Sequence, residues 1–322
     1  MTSSAVTIVI PIFNEEAVLP ELCSRLTAVF DANRGVSWRA LFVNDGSRDR
    51  SAAVVREQID RDRRFGLIEL SRNFGFQSAL SAGLAHAADS DAVITMDADL
   101  QDPPELIPEL VAAWQRGADV VRAVRRSRAE RGLRRIAMDL FHLGYGSIID
   151  YPIEPNTGTF GLLGRPAVAA FNQLPERHRF FPGLRAWLGF TTADVMYDRQ
   201  ERAAGTPQQT FRRLARYALD GVFSFSHLPL RLVTYTGVFV ASIGFAIAVF
   251  FAVRRILDVE IAPTGFTTLA MLSLFIGGVQ LIGIGILGEY LGRIYDEVKR
   301  RPNYIVKSTA GSHSTPPFSS RD

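Results

Sequence analysis

Five short apolar runs recur before residue 125, and a stretch of helical periodicity separates each from the next. The runs are "AVTIVIPI" (5–12), "RALFVN" (39–44), "FGLIEL" (65–70), "DAVITM" (91–96) and "ADVVRAV" (118–124), with helical patterns at 15–33, 49–61, 77–88 and 104–116. Their apolar character is continuous rather than alternating, which predicts strands buried on both faces. Strand then helix, repeated, predicts an α/β domain with a mainly parallel sheet. Ligands of such sheets bind beyond the carboxyl ends of the strands. The residues directly after each run are therefore the first candidates for function. Two of these stretches, "NDGSRD" and "MDADLQDPPE", carry acids and should line one crevice.

The 322 residues allow one large domain or two smaller ones. The net charge is +3, and the lysines are Lys299 and Lys307, so the positive charge is nearly all arginine. Arginine grips phosphate as a fork, although a compositional bias accounts for the total as well. Nothing suggests a nucleic-acid partner. One cysteine, Cys23, excludes a disulfide framework and suits a reducing compartment. It falls in a helical apolar pattern and reads as a core residue. The start, "MTSSAVTIVIPIF", lacks a basic leader region, so no secretory signal is expected.

The pattern changes after residue 205. "TFRRLARYALDGVFSFSHLPL" (210–230) mixes arginines with large apolar residues, as a helix lying on a membrane surface would. An ordinary surface helix is the competing reading, and position decides between them. No charge interrupts 232–253 or 261–288, and each run exceeds the roughly 20 residues that span a bilayer. Arg212, Arg213, Arg216 and Arg231 precede the pair, and Arg293, Lys299, Arg300, Arg301 and Lys307 follow it. By the positive-inside rule both flanks, and with them the N-terminal domain, are cytoplasmic. The expected organisation is a catalytic domain over 1–205, an amphipathic segment over 206–230, two membrane helices over 231–290, and a basic, then disordered, cytoplasmic tail over 291–322. "IGGVQLIGIG" suits helix packing within the chain or between copies.

The first strand ends in "VIPIFNEE", which holds neither a P-loop nor a G-x-G-x-x-G fingerprint, so dinucleotide binding loses support. Pro11, Asn14, Glu15 and Glu16 sit there instead, and the two glutamates equally suit the first turn of a helix. After the second strand Asp45 shares a turn with Gly46, and Ser47 or Asp49 can cap the next helix. Asp45 could accept a hydrogen bond from a nucleobase imino group. After the fourth strand Asp97 and Asp99 form a D-x-D pair. Mg²⁺ and Mn²⁺ favour such oxygen ligands, Gln101 can add a neutral oxygen, and the pattern is also common by chance. Asp102, Pro103, Pro104 and Glu105 read as an N-cap, prolines in the first turn and a capping-box acid.

Together "VIPIFNEE", "NDGSRD", "SRNFGFQSAL" and "MDADLQDPPE" resemble the inverting family 2 glycosyltransferases, and more closely the polyprenyl-phosphate glycosyltransferases related to dolichol-phosphate mannose synthase. The resemblance covers nearly the whole chain. It continues through "ERHRFFPGLRAWLGF", "ERAAG" and "FSFSHLPLRL" to the two C-terminal helices of the bacterial membrane-anchored branch. It implies a GT-A fold, a nucleotide-sugar donor (a UDP-sugar favoured, GDP-mannose open), Mg²⁺ or Mn²⁺, and a polyprenyl phosphate acceptor. It implies hexosyl or N-acetylhexosaminyl transfer at the inner membrane for cell-envelope glycans, in a family whose members often assemble through their membrane helices.

By matching position, the resemblance makes Asp97, Asp99 and Gln101 metal ligands and places Pro11, Glu15 and Asp45, with Asn14 beside them, in the nucleotide pocket. Arg72 and Asn73 fall near the donor, and Arg125 and Arg135 on the acceptor phosphate; Asp99 and Arg125 carry the catalytic roles. The run Arg125, Arg126 and Arg128 also reads as a solvated face, and the phosphate role is given to Arg125. The chain departs from the family at Thr159 and Gly161, where an acid and an arginine are frequent, at Pro182, and at Gln208 and Gln209. These departures are read as altered donor or acceptor preference. Two rivals remain. A processive polysaccharide synthase would carry Q-x-x-R-W, which "LRAW" does not match. A catalytically degenerate scaffold or flippase partner would have no use for the D-x-D-x-Q.

Overall fold

The computed structural model describes residues 4–126, 157–177, 179–198, 233–240, 242, 243, 246, 253 and 266–311. These fall into two compact units: 4–126, 157–198 and 302–311 in the first, and the described positions of 233–301 in the second.

The first unit is built on an eight-stranded sheet of order β7-β5-β6-β4-β1-β2-β3-β8. β1 (Ser4–Ile12), β2 (Val36–Asn44), β3 (Phe65–Leu70) and β4 (Ala92–Thr95) run parallel, and β5 (Val120–Arg125) pairs in parallel with β7 (Thr192–Tyr197). The five expected strands are therefore present. Helices α1 (Leu19–Ala32), α2 (Ser51–Arg61), α3 (Phe76–His86) and α4 (Ile107–Gln115) lie where periodicity put them. A 3-10 turn over Pro104–Leu106 leads into α4.

β1 explains the absence of alternation. Val6, Ile8, Ile10 and Ile12 face one core with Leu22, Leu26 and Phe30 of α1 and Leu110 of α4. Val9 faces the opposite way, onto α3, where a Cβ at Gly83 would stand 2.1 Å from its Cγ1. Both faces are dry, so the strand has no polar side to show. Cys23 is buried in the first core, and burial pushes its thiol up to about 12, as befits an inert core residue.

Three strands go beyond the sequence reading. β6 (Thr157–Gly164) enters antiparallel between β4 and β5, followed by α5 (Arg165–Gln173) and α6 (Phe181–Trp187). β7 adds the outer strand on that side. β8 (Val306–Gly311) pairs antiparallel with β3. The sheet is thus mixed, with four parallel and three antiparallel pairings. β8 also corrects the expectation of disorder from Ser308: residues 306–311 return to the first unit as an edge strand.

The second unit contains α7 (Phe266–Val298), 33 residues long. It exposes large apolar side chains, among them Leu281, Ile282, Ile284 and Leu287, each more than half exposed. Among the described residues, no helix is long and apolar enough to cross a membrane. Ten of the 22 residues of the expected first span, 232–253, and the whole amphipathic segment at 206–230 lie outside the described residues, as does Arg135.

Candidate active site

The turns after β1 and β2 are laced together. Asn14 N–H donates to Ser47 Oγ (3.0 Å), and Arg48 N–H donates to Asn14 Oδ1 (2.8 Å). Glu15 N–H donates to Ser51 Oγ (2.9 Å), Glu16 N–H to Asp49 Oδ2 (3.1 Å), and Arg50 N–H to Glu16 Oε2 (2.8 Å). Asn14 has φ of 56°, a left-handed conformation that asparagine tolerates better than most residues. Asn14 and Glu16 thus hold the two turns in register.

Asp45 does similar work one turn further on. It is buried, and its carboxylate accepts Phe74 N–H (2.7 Å) and Gly75 N–H (2.9 Å), fixing the "RNFG" loop. Burial pushes its pKa up, and the two N–H groups and Arg72 pull against that. Gly46, at φ of 70°, lets this loop close: a Cβ there would lie 2.7 Å from the Arg72 carbonyl carbon and the Asn73 nitrogen.

A cavity of about 290 Å³ opens at these strand ends and is lined by Pro11, Glu15, Asp45, Asn73, Asp97 and Asp99 among others. Six residues expected in the site therefore meet in one place. Asn14, Arg72, Gln101 and Arg125 do not line it. Gln101 N–H donates to Asp99 Oδ1 (3.2 Å). Leu100 between them is buried at φ of 59°, a costly conformation for a leucine that turns the chain sharply after Asp99.

Asp97 accepts the Thr159 hydroxyl at Oδ1 (3.0 Å). Its carboxyl is pushed up to about 6, first by burial, then by Asp102 and Asp99, against Thr159 and Arg125. Among the described residues no three or more Asp, Glu, His or Cys gather as a metal site. Two carboxylates at one cavity nevertheless suit a hard divalent cation that takes its remaining oxygens from a diphosphate and water.

Asp102 belongs elsewhere. It is fully buried; Tyr197 Oη–H donates to its Oδ1, and Arg125 Nη2 lies 3.9 Å away. Arg125 Nε donates to Tyr197 Oη (3.1 Å), and burial and the nearby carboxylate push the tyrosine pKa up. The capping-box reading is thus corrected. Pro103 occupies the N-cap with no side-chain cap bond, and Glu105 instead takes both forks of Arg25, at 2.8 and 2.6 Å. Pro104 does sit in the first turn.

The departures on β6 have a structural setting. Thr95 Oγ1–H donates to the Thr159 carbonyl, so Thr159 is fixed at both its backbone and its hydroxyl. At Gly161 a Cβ would lie 2.6 Å from the Val121 carbonyl oxygen and 3.1 Å from Arg185 Nη1. Arg185 is buried, donates from Nη2 to the Gly158 carbonyl (3.2 Å), and packs its guanidinium 5.5 Å from the Phe181 ring centre. Its Nη1 has no hydrogen-bond partner among the described residues, and burial, then Arg122, push its pKa down to about 10. Sequence reasoning missed Tyr197 and Arg185. Tyr197 lies 95 residues from Asp102, and no local pattern marks it.

The sequence profile of Glycosyl transferase family 2 matches residues 7–171. The chain is 43% identical over 312 residues to a protein of Synechocystis sp. named an uncharacterized glycosyltransferase, covering 96% of this chain and 97% of the relative. It is 42% identical over 308 residues to the SfII prophage-derived bactoprenol glucosyl transferase of Shigella flexneri, covering 94% and 98%. Among solved structures, mannosyl-3-phosphoglycerate synthase from Rubrobacter xylanophilus matches 68% of this chain and 72% of its own, at 20% identity and a TM-score of 0.48.

Proposed function

The chain belongs to glycosyl transferase family 2, and from that premise we propose that it moves a hexosyl group from a nucleoside-diphosphate sugar to the phosphate of a polyprenyl phosphate. The cavity that joins Pro11, Glu15, Asp45 and Asn73 to Asp97 and Asp99 carries this reading. The acceptor rests on the relative named a bactoprenol glucosyl transferase, alike over 94% of this chain. The same name favours a glucosyl donor, taken as UDP-glucose, with GDP-mannose as the second to be tried.

A phosphate monoester has its second pKa near about 6, so the acceptor is largely a dianion at neutral pH. Its oxygen needs no strong base to attack. The new bond forms between that oxygen and the anomeric carbon. The bond from that carbon to the diphosphate breaks, and the nucleoside diphosphate leaves with the electron pair. In-line attack inverts the configuration.

Asp97 and Asp99 would hold a divalent cation, Mg²⁺ or Mn²⁺, which neutralises charge on the departing diphosphate. Thr159 orients Asp97 through its hydroxyl. Asp45 keeps the "RNFG" loop closed over the nucleotide end. Arg125, held by Tyr197 beside Asp102, is the cation assigned to the acceptor phosphate.

A lipid acceptor requires the site to work at a membrane. The uncharged runs at 232–253 and 261–288, with the exposed leucines and isoleucines of α7, support an anchor of two membrane helices. The arginine-rich flanks support placement of the first unit on the cytoplasmic side.

The test uses purified protein with Mg²⁺, polyprenyl phosphate and labelled UDP-glucose or GDP-mannose. A labelled glycolipid and one equivalent of nucleoside diphosphate are expected. The reading fails if neither donor turns over and neither nucleotide binds.

A further inference from the structure

A second cavity, of about 340 Å³, adjoins the first and shares Phe13 and Asn73 with it. It lies on the β3 side, beyond the ends of β2 and β3. Three cations line it, Arg48, Arg72 and Lys307, against one acid, Glu69. Glu69 is already engaged by Arg56 and by the Ser308 hydroxyl (2.7 Å). Arg72 is held in place, 4.0 Å over the Phe74 ring and donating from Nη1 to the Asn73 carbonyl (3.0 Å). Arg48 and Lys307 are exposed, and neither has an ion pair among the described residues. The cavity thus carries an excess of positive charge.

Lys307 comes from the other end of the chain, on β8. The strand is anchored on either side of it. Ser71 N–H donates to the Ile305 carbonyl (2.9 Å), and Ser308 reaches Glu69. At the far end Gly311, at φ of 85°, sits where a Cβ would lie 2.6 Å from the Phe65 carbonyl oxygen. Between the anchors the register slips. Glu69 pairs with Ser308 and Leu70 with Val306, so Lys307 is the extra residue of a β-bulge. Bulges re-aim a side chain and are common beside active sites. A lysine on an edge strand often serves only to discourage further pairing. A bulge can serve that role too, but that role does not call for a place in a cationic cavity next to the donor pocket.

We propose that Lys307 is a nucleotide-binding residue: the last strand of the chain supplies a cation that, with Arg48 and Arg72, binds acceptor oxygens of the donor's nucleoside diphosphate. This rests on the transferase reading above and adds to it a specific residue far from every motif that carried that reading.

The experiment is titration calorimetry of the full-length protein in detergent with UDP and with GDP, each with Mg²⁺, alongside donor and acceptor kinetics and thermal melting. Lys307→Ala and Lys307→Glu should weaken nucleotide binding about tenfold or more and raise the donor KM to match. The kcat, the acceptor KM and the melting temperature should not move, and Lys307→Arg should keep wild-type affinity. Equal affinity of the wild type and Lys307→Glu overturns this inference and leaves the transferase reading intact. A fall in melting temperature that Lys307→Arg does not restore assigns Lys307 to strand docking and also overturns it. Absence of nucleotide binding by the wild type overturns both.

Discussion

Asp97 and Asp99 open into the cavity at the end of β4, whereas Asp102, three residues on, is sealed beneath Tyr197 and faces Arg125. Within one acidic stretch, the buried acid has its counter-charge built into the fold. The other two line the cavity, and Asp97 is pushed up to about 6, first by burial and then by Asp102 and Asp99, against the Thr159 hydroxyl and Arg125. A carboxylate already matched by an arginine and a phenol is part of the architecture. Two neighbouring carboxylates on a cavity wall suit a cation from outside.

The sharpest way to break this contrast is Asp99→Ala. It should lower metal-dependent turnover by about 10²–10³-fold while the melting temperature changes little, because the lost bond from Gln101 N–H is long at 3.2 Å and a repulsion with Asp97 goes with it. Glycolipid formation at saturating Mg²⁺ reads it, and retained turnover would remove Asp99 from the metal site. Asp102→Asn should do the reverse in kind. It strips the charge that faces Arg125 and should cost about 2–3 kcal/mol of stability in chemical or thermal unfolding. A variant as stable as the wild type would show that Asp102 is no structural acid.

Gly161→Ala sharpens the picture on β6. Its new methyl would press on a backbone oxygen that cannot retreat and on the Arg185 guanidinium, and about 1–2 kcal/mol should be lost. The smallest effect belongs to Glu105→Gln, below about 1 kcal/mol, because its bond to Arg25 is at the surface. Arg25 holds the Glu105 carboxyl below its ordinary 4.5. That contribution is therefore present above pH 4.5 and is lost as the pH falls through the lowered value. Added salt should erase the difference between wild type and variant, as it would not for a backbone cap.

The parts of this architecture that can be read from the sequence are local ones. β1 to β5 announce themselves because each is an apolar run, and a helix follows each of the first four. Pro11, Glu15, Asp45, Asp97 and Asp99 are readable for the same reason, since Pro11 falls at the end of such a run and the others just after one. β6 hides because "TGTFGLLG" has three glycines and its pairing is antiparallel, to β4 about 70 residues back and to β5 about 40 residues back. β8 hides because serine, threonine and glycine after a basic stretch read as a tail. The stretch from Asp102 to Glu105 shows how a local rule can mislead. Its spacing fits a helix start, but Tyr197 claims the buried Asp102 and Arg25 the exposed Glu105, both from elsewhere in the fold.

β8 also sets the order of events during synthesis. β1 begins at Ser4, yet among the described residues the β3 edge is covered by residues 306–311, so the ribosome must make the whole intervening chain before that edge is closed. Until then β3 offers a row of unpaired backbone groups to any neighbouring strand. A chain cut short after α7 would carry every motif of the candidate active site and still leave this edge bare.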